Sequence, residues 1–185
     1  MGNLENFKYK TIPNFLTKEE ALLLKEYCIL RHINNKDSFD LAIENADTGF
    51  YKDFVMQSLL INKKKLVEKI IELELNETYS YWRCYTWGSD LKEHIDRKSC
   101  EISVSVFIGS DGTDWPLYME NKPINLNVGD AVVYKGCNVR HGRKEFKGDY
   151  HIQTFLHYVD KNGKYAEHKG DSKNEMLERK DMKWK

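Results

Sequence analysis

Apolar residues recur at helical spacing in the first part of the chain. Thr17-Lys18-Glu19-Glu20 has the form of a capping box, in which Thr17 is the N-cap and Glu20 reaches back to it, so we expect a helix to begin there. A second helix is predicted from about Asp53 to Leu75, although the run Asn62-Lys63-Lys64-Lys65 is expected to break or bend it. Residues 1–75 are therefore predicted to be mostly helical and to support the rest of the fold.

After Asn76 the apolar spacing becomes that of β-strands. Residues 101–108 alternate apolar and small polar side chains, as a half-buried strand does. Further short strands are predicted at residues 79–87, 115–121, 124–126, 131–134, 139–143 and 150–159. Seven or eight short strands with regular turns predict a sandwich or barrel over residues 79–160, followed by a polar tail at 161–185. The expected fold class is mainly β with N-terminal helices (α+β), in a single domain of residues 1–185.

Composition and charge disfavour several classes of protein. The 185 residues include 29 basic and 29 acidic side chains, so the net charge is zero and there is no electrostatic footprint for nucleic acid. No segment has the apolar character of a signal peptide or of a membrane span. The four cysteines form no CxxC pair, which disfavours a zinc ribbon and suits reduced thiols in a cytoplasmic protein. No pattern in the sequence indicates an oligomeric state.

His94-Ile95-Asp96 is the first group of residues that suggests chemistry. Residues two apart on a strand point to the same face, so this imidazole and carboxylate are placed to share one metal ion. An isolated HxD tripeptide is also common in exposed loops. The addition of the distant His141 completes a 2-His-1-carboxylate set, which is the facial triad of non-haem iron(II). Ligands from distant strands meet when a sheet folds over on itself, as it does in a double-stranded β-helix, or jelly roll.

Tyr81 to Val159 resembles the iron(II)/2-oxoglutarate-dependent dioxygenases, and within them the prolyl-4-hydroxylase-like group. The segment Arg83–Asp96 resembles the strand, turn and HxD of that group, and Val128–Tyr134 resembles its Gly-Asp strand. Ile12–Glu20 resembles the short strand that leads into its first support helix. The resemblance implies a double-stranded β-helix flanked by support helices, with His94, Asp96 and His141 as the ligands of Fe(II).

The same resemblance implies a reaction. The cosubstrates would be 2-oxoglutarate and O₂, and a C–H bond of a small-molecule or peptide substrate would be hydroxylated with release of succinate and CO₂. Candidate substrates are an amino acid, a peptidyl proline or a small metabolite. Family members that halogenate lack the carboxylate ligand, so Asp96 favours hydroxylation.

One departure from the family pattern concerns the distal carboxylate of 2-oxoglutarate. The family normally binds it with an Arg or Lys on the last barrel strand, but Tyr150–His157 contains neither. Arg143 is the first candidate replacement, because it lies two residues after His141 and its planar fork suits a carboxylate. An exposed cation at a strand end is the alternative for Arg143. The further candidates for 2-oxoglutarate binding are Arg83, Tyr85, Gln153 and Tyr150.

Other charged and histidine residues have ordinary expected roles. Arg97 is expected to pair with Glu101 and to point away from the metal. His151 and His157 share one face of the last strand, where they either face the cavity or are ordinary hydrogen-bonded histidines. Two alternative functions fit the missing cation on the last strand. The first is a non-catalytic jelly-roll binding module, and the second is a cupin-type metalloenzyme that does not use 2-oxoglutarate.

Overall fold

The computed structural model of the protein describes residues 7–34 and 47–171. The elements before the barrel are β1 (Tyr9–Ile12), α1 (Lys18–Ile33), β2 (Thr48–Tyr51) and α2 (Phe54–Ile71). The barrel strands are β3 (Leu75–Tyr85), β4 (Leu91–His94), β5 (Ile102–Ser110), β6 (Leu117–Met119), β7 (Lys122–Ile124), β8 (Ala131–Lys135), β9 (His141–Arg143) and β10 (His151–Asp160). Among the described residues no helix is long and apolar enough to cross a membrane.

The strands form two antiparallel sheets that face each other. The larger sheet has the order β1-β8-β5-β10-β3-β2, and the smaller sheet has the order β4-β9-β6-β7. From β3 to β10 the chain crosses between the two sheets at every step except the β6–β7 hairpin. This alternation is the double-stranded β-helix, so the predicted jelly roll is confirmed.

The two helices begin where the sequence indicates. The Thr17 side chain accepts a hydrogen bond from the Glu20 amide, and the Glu20 side chain accepts one from the Thr17 amide, so the capping box is confirmed. Asp53 caps α2 by accepting bonds from two backbone amides of the first turn.

Three expectations for the N-terminal part are corrected. Helix α2 ends at Ile71, because Glu72 adopts a left-handed conformation with φ of 57°, and Leu75 already belongs to β3. Residues 1–75 also contain β1 and β2, so they are less helical than expected. The lysine run does not break α2, which is continuous from Phe54 to Ile71. Lys63 of this run forms an ion pair with Glu20 of α1.

The main hydrophobic core lies between the helices and the larger sheet. It includes Met56, Leu60 and Val67 of α2, which pack with Trp82 and Leu156 of the sheet. Successive side chains of a strand point to opposite faces. The even-numbered residues of β10 therefore enter this core, and its odd-numbered residues face the interior of the barrel, where they are largely polar.

The segment after β10 returns to the barrel. Asp171 pairs with Arg97 and accepts a hydrogen bond of 2.8 Å from the Tyr51 hydroxyl. The expected Arg97–Glu101 pair is therefore wrong, and Glu101 instead accepts a bond from the Asp160 amide. Residues 172–185, which include most of the predicted polar tail, lie outside the described residues.

Shortening a buried side chain of α2 should destabilise the fold far more than shortening an exposed one. Leu60 is fully buried, so Leu60→Ala should lower the free energy of unfolding by about 2–5 kcal/mol through lost burial and a cavity. Leu66 on the same helix is 39% exposed, so Leu66→Ala should cost less than about 1 kcal/mol. Urea unfolding of both variants tests this, and equal losses would contradict the assigned helix face.

Candidate metal centre

The three predicted metal ligands meet at one edge of the smaller sheet. His94 ends β4 and His141 begins β9, and the two residues are paired directly across these strands. Asp96 lies after β4 rather than on it, so the expected alternation along one strand is not what aligns it with His94. Its amide donates a 2.8 Å hydrogen bond to the Gly136 carbonyl, which fixes the turn. The ligand atoms of all three residues lie within 4.8 Å of one another.

Backbone carbonyls fix the orientation of both imidazoles. The Nδ1 atom of His94 is 2.8 Å from the Lys92 carbonyl, and Nδ1 of His141 is 2.9 Å from the Val139 carbonyl. A carbonyl oxygen only accepts, so each Nδ1 carries a proton, and in the neutral imidazole each Nε2 presents a lone pair. Both Nε2 atoms lie 3.5 Å from the same oxygen, Oδ1 of Asp96. Three acceptor atoms that converge in this way suit a divalent cation, and the donor set is the one that iron(II) takes.

The centre stabilises positive charge between its ligand atoms. In the metal-free centre burial opposes ionisation of Asp96, but the imidazoles of His141 and His94 donate hydrogen bonds to it when they are protonated at Nε2, and together with the nearby His157 they hold its pKa well below the usual range. In turn, the hydrogen bond to Asp96 raises the pKa of His94, against the smaller opposing effect of burial. The His94 side chain is 40% exposed and that of His141 is 4% exposed, so the centre opens to solvent on the His94 side.

A glycine makes the close packing around Asp96 feasible. A β-carbon on Gly136 would lie 2.1 Å from the Cys100 carbonyl oxygen and 2.5 Å from Oδ2 of Asp96. Any side chain at this position would therefore displace the carboxylate or the backbone beside it.

A cavity of about 170 Å³ adjoins the three ligand residues. Aromatic rings dominate its walls. Its other lining residues are Tyr79, Tyr81, Arg83, Tyr85, Leu91, Tyr134, Phe155 and His157. Both sheets contribute to these walls, since Tyr79 to Tyr85 lie on β3 of the larger sheet and Leu91 lies on β4 of the smaller sheet.

Arg143, the first candidate for binding the distal carboxylate, is buried in the barrel. Its guanidinium donates to the Trp115 carbonyl and, at 3.2 Å, to Oε1 of Gln153, and it lies 4.6 Å from the centroid of a Trp115 ring. Within residues 7–34 and 47–171, no carboxylate forms an ion pair with it. Burial lowers the pKa of Arg143 to about 10. The alternative of an exposed strand-end cation is therefore wrong.

The partners of Arg143 are neutral. Gln153 donates from Nε2 to the Ser105 hydroxyl at 2.8 Å and accepts at 3.0 Å from Nε2 of His151. Burial, followed by the charge of Arg143, lowers the pKa of His151 to about 3, so this imidazole is uncharged near neutral pH. Dipoles alone therefore surround a buried cation, and a buried cation is costly without an anion. The arrangement suits the carboxylate of a ligand.

The other predicted cosubstrate residues are distributed differently. Tyr85 is fully buried and lines the cavity, and the Arg83 guanidinium lies 4.7 Å from its ring centroid. Arg83 also lines the cavity, but its charge is already paired with Asp47 at 2.8 Å. Tyr150 packs against the core on the helix side of the sheet, so the structure does not bring it to the cavity, and its assignment is corrected.

Sequence reasoning missed several residues that contact the site. Asp47 accepts bonds from Thr86 and Ser89 as well as Arg83, which fixes one wall of the cavity, and it is more than thirty residues away in the chain. Ser103 donates to Asp96, and the Tyr134 hydroxyl lies 3.3 Å from Nε2 of His141. The alternation of polar residues along residues 101–108 was the one available signal for Ser103.

No protein-family model matches the sequence, and no curated protein matches it. Solved structures do share its fold. The viral collagen prolyl hydroxylase vCPH from Paramecium Bursaria Chlorella virus-1 is 12% identical, with 85% of this chain and 98% of that chain covered and a TM-score of 0.63. A prolyl-4-hydroxylase from Pseudomonas putida is 13% identical, with 85% and 95% covered and a TM-score of 0.65.

A third similar structure contains bound ligands. HygX from Streptomyces hygroscopicus, with nickel and 2-oxoglutarate bound, is 12% identical, with 84% of each chain covered and a TM-score of 0.61. At these identities the likeness shows that the chain has the jelly-roll fold of the 2-oxoglutarate–iron(II) oxygenases.

The buried His151 should make stability fall in mild acid. Its pKa is about 3 in the folded protein and about 6.5 in an unfolded chain, so the unfolded state binds the extra proton as the pH falls below about 6.5. Between pH 7 and pH 5, His151 should therefore remove roughly 2 kcal/mol of stability. Urea unfolding of the metal-free protein at pH 7 and pH 5 tests this. Between these pH values the free energy of unfolding should fall by roughly 2 kcal/mol less in His151→Gln than in the wild-type protein. An unchanged difference would mean that His151 is charged in the folded protein.

Proposed function

We propose that this protein is a non-haem iron(II) oxygenase that uses 2-oxoglutarate and O₂ and hydroxylates a C–H bond of a small-molecule or peptide substrate, with release of succinate and CO₂. The observation that carries the proposal is the combination, in one barrel, of the His94–Asp96–His141 triad and a buried guanidinium, Arg143, without an ion-pair partner among the described residues. The triad suits the metal ion, and Arg143 suits the distal carboxylate of a 2-oxoglutarate molecule bound to that ion.

His94, Asp96 and His141 would hold the iron. Their backbone-anchored tautomers present two imidazole lone pairs and one carboxylate oxygen on one side, which leaves the other coordination positions free. Iron(II) in such a site supplies the chemistry that couples oxidative decarboxylation of 2-oxoglutarate to C–H oxidation. The contribution of the protein is to fix the ligand geometry and to line the cavity beside the site with aromatic side chains that limit the access of water.

Arg143 would bind the distal carboxylate of 2-oxoglutarate from β9. Its contact with Gln153 places the guanidinium against the inner face of β10, the strand on which related enzymes carry their cation. Tyr85 and Tyr134 partly offset the lowering of the Arg143 pKa by burial, and both line the cavity beside the triad. In the proposed arrangement these two tyrosines lie between the metal ligands and the carboxylate site. Gln153 would orient Arg143 through their hydrogen bond, and Arg83 would lie at the mouth of the cavity.

The substrate would enter between β3 and β4, past Tyr81, Arg83 and Leu91. Enzymes of similar structure include a collagen prolyl hydroxylase and HygX, which has been solved with hygromycin B bound, so both peptides and small molecules are compatible with this fold. The intact carboxylate ligand supports hydroxylation rather than halogenation. Zero net charge favours a substrate other than nucleic acid, and we also propose a single-domain, cytoplasmic protein.

Anaerobic titration with iron(II) and then 2-oxoglutarate tests both halves of the site. The wild-type protein should develop the visible metal-to-ligand charge-transfer band of a chelated 2-oxo acid. His141→Ala should abolish the band, because it removes a ligand. Arg143→Ala should weaken 2-oxoglutarate binding by about thirtyfold or more, since a buried charge contact is lost. Arg140→Ala is the matched control, because Arg140 is an exposed cation next to the same strand and should leave the titration unchanged.

The same titration distinguishes the alternative functions. Iron binding without the band at any 2-oxoglutarate concentration would contradict the proposal and favour a cupin-type metalloenzyme. Absence of both iron binding and the band would favour a non-catalytic binding module. Equal 2-oxoglutarate affinity in Arg143→Ala and Arg140→Ala would remove Arg143 from the cosubstrate site while leaving the metal centre intact.

A further inference from the structure

The two oxygens of the Asp96 carboxylate have different surroundings. Oδ1 faces the imidazoles, 3.5 Å from Nε2 of both His94 and His141. Oδ2 faces the larger sheet and lies 2.9 Å from the Ser103 hydroxyl. The same hydroxyl is 2.9 Å from Nδ1 of His157, the last inward-facing histidine of β10. The carboxylate is thus linked through Ser103 to a histidine that is not one of the predicted ligands.

The protons of this chain can be assigned from its partners. A serine hydroxyl has one proton, and Ser103 lies beside two atoms that only accept, Oδ2 of Asp96 and, at 3.2 Å, the Cys100 carbonyl. The hydroxyl must donate in that direction, so His157 donates from Nδ1 to Ser103. The result is a directed chain in which the Nδ1–H of His157 donates to Ser103 and the O–H of Ser103 donates to Oδ2.

Asp96, Cys100 and His157 also lie close enough together to suggest a second metal site. The hydroxyl of Ser103 contacts both the carboxylate and the imidazole, so it lies between two of the three donors. The Cys100 thiol is 3.0 Å from the Tyr79 hydroxyl, and burial raises the pKa of Cys100 to about 12, so in the metal-free protein it is a neutral thiol within the same network. The group is therefore a hydrogen-bond network.

His157 is held firmly in this role. It is 6% exposed, and its ring packs 4.5 Å from the centroid of the Tyr79 ring. On the far side of Oδ2, Gly136 lies so close that a β-carbon there would be 2.5 Å from the carboxylate oxygen and 2.9 Å from the Ser103 hydroxyl. The Gly136 backbone therefore lies against the carboxylate, and rotation of the carboxylate would break its hydrogen bond to Ser103.

We propose that His157, acting through Ser103, is a positioning residue that retains Oδ2 and makes Asp96 bind the metal through Oδ1 alone. The inference rests on the proposed metal site but not on the identity of the cosubstrate or substrate. A carboxylate that turned to bind through both oxygens would fill one of the positions that the facial triad leaves open. Ser103 and His157 thus keep that position available for cosubstrate or O₂.

Manganese(II) is a suitable probe, because it binds the same donor set and its coordinated waters can be counted by water-proton relaxation without any turnover. Ser103→Ala removes the hydrogen bond to Oδ2 and should weaken Mn(II) binding about 10- to 100-fold, the usual effect of losing a group that orients a ligand. The relaxation enhancement of the bound ion should also fall by roughly a third, since one of the three open octahedral positions becomes filled by Oδ2.

Two replacements of His157 separate positioning from packing. His157→Asn places an amide N–H near the position of Nδ1 and should retain an affinity close to that of the wild-type protein. His157→Gln places its amide near the position of Nε2 and should behave like Ser103→Ala. Ser105→Ala is the matched control, because Ser105 is an inward-facing serine of the same strand whose hydroxyl contacts Gln153 instead of Asp96. It should change neither the affinity nor the relaxation.

Three results would overturn the inference. They are wild-type affinity and relaxation in Ser103→Ala, identical behaviour of His157→Asn and His157→Gln, or an equal loss in Ser105→Ala. In each case the wild-type protein still binds Mn(II), so these results would not count against the proposed metal site. If the wild-type protein binds no Mn(II) and no iron(II), the proposed metal function fails and this inference fails with it.

Discussion

The convergence of two imidazole lone pairs on one carboxylate oxygen is the constraint on which the structure of the site depends. These three acceptors repel one another unless a cation lies between them, so the fold must hold them together from outside. The direct pairing of β4 with β9 sets the separation of the imidazoles, and two backbone carbonyls set their orientation. The hydrogen bond from the Asp96 amide to the Gly136 carbonyl then holds the Asp96 carboxylate beside the two imidazoles.

The stability that permits such a site comes from the opposite face of the larger sheet. Strand β10 shows the division most clearly, since Ile152 and Leu156 pack in the core below the helices while Gln153 and His157 face the barrel interior. An interior with a buried cation and neutral dipoles contributes little net stability. The apolar layer between α2 and the sheet therefore compensates for the polar interior, and this explains why both faces of a single strand are buried.

Local patterns in the sequence, together with the family resemblance, predicted the fold and the candidate metal ligands, whereas long-range contacts remained unpredictable. The capping box placed the start of α1, and the resemblance identified His94 and His141 as candidate ligands, which the structure brings together. Asp96 was predicted for an incorrect reason, because it lies beyond the end of β4. The prediction that Tyr150 binds 2-oxoglutarate was wrong because the odd-numbered residues of β10 face the barrel interior, and an even-numbered neighbour such as Tyr150 faces the helices. The Arg97–Asp171 pair joins residues 74 positions apart, which no local pattern encodes.

Strand β9 is only three residues long, yet it holds both a proposed metal ligand, His141, at its first position and the buried guanidinium of Arg143 at its third. Two residues of extended backbone span about 7 Å, and neighbours β4 and β6 restrain this strand on both sides. The distance from the proposed metal to the proposed carboxylate site would thus be set by the covalent geometry of one strand instead of by the packing of two strands. Such a site would accept a 2-oxo acid only when the distance between its two carboxylates matches this spacing. It would therefore discriminate among dicarboxylic 2-oxo acids that differ by a single methylene group.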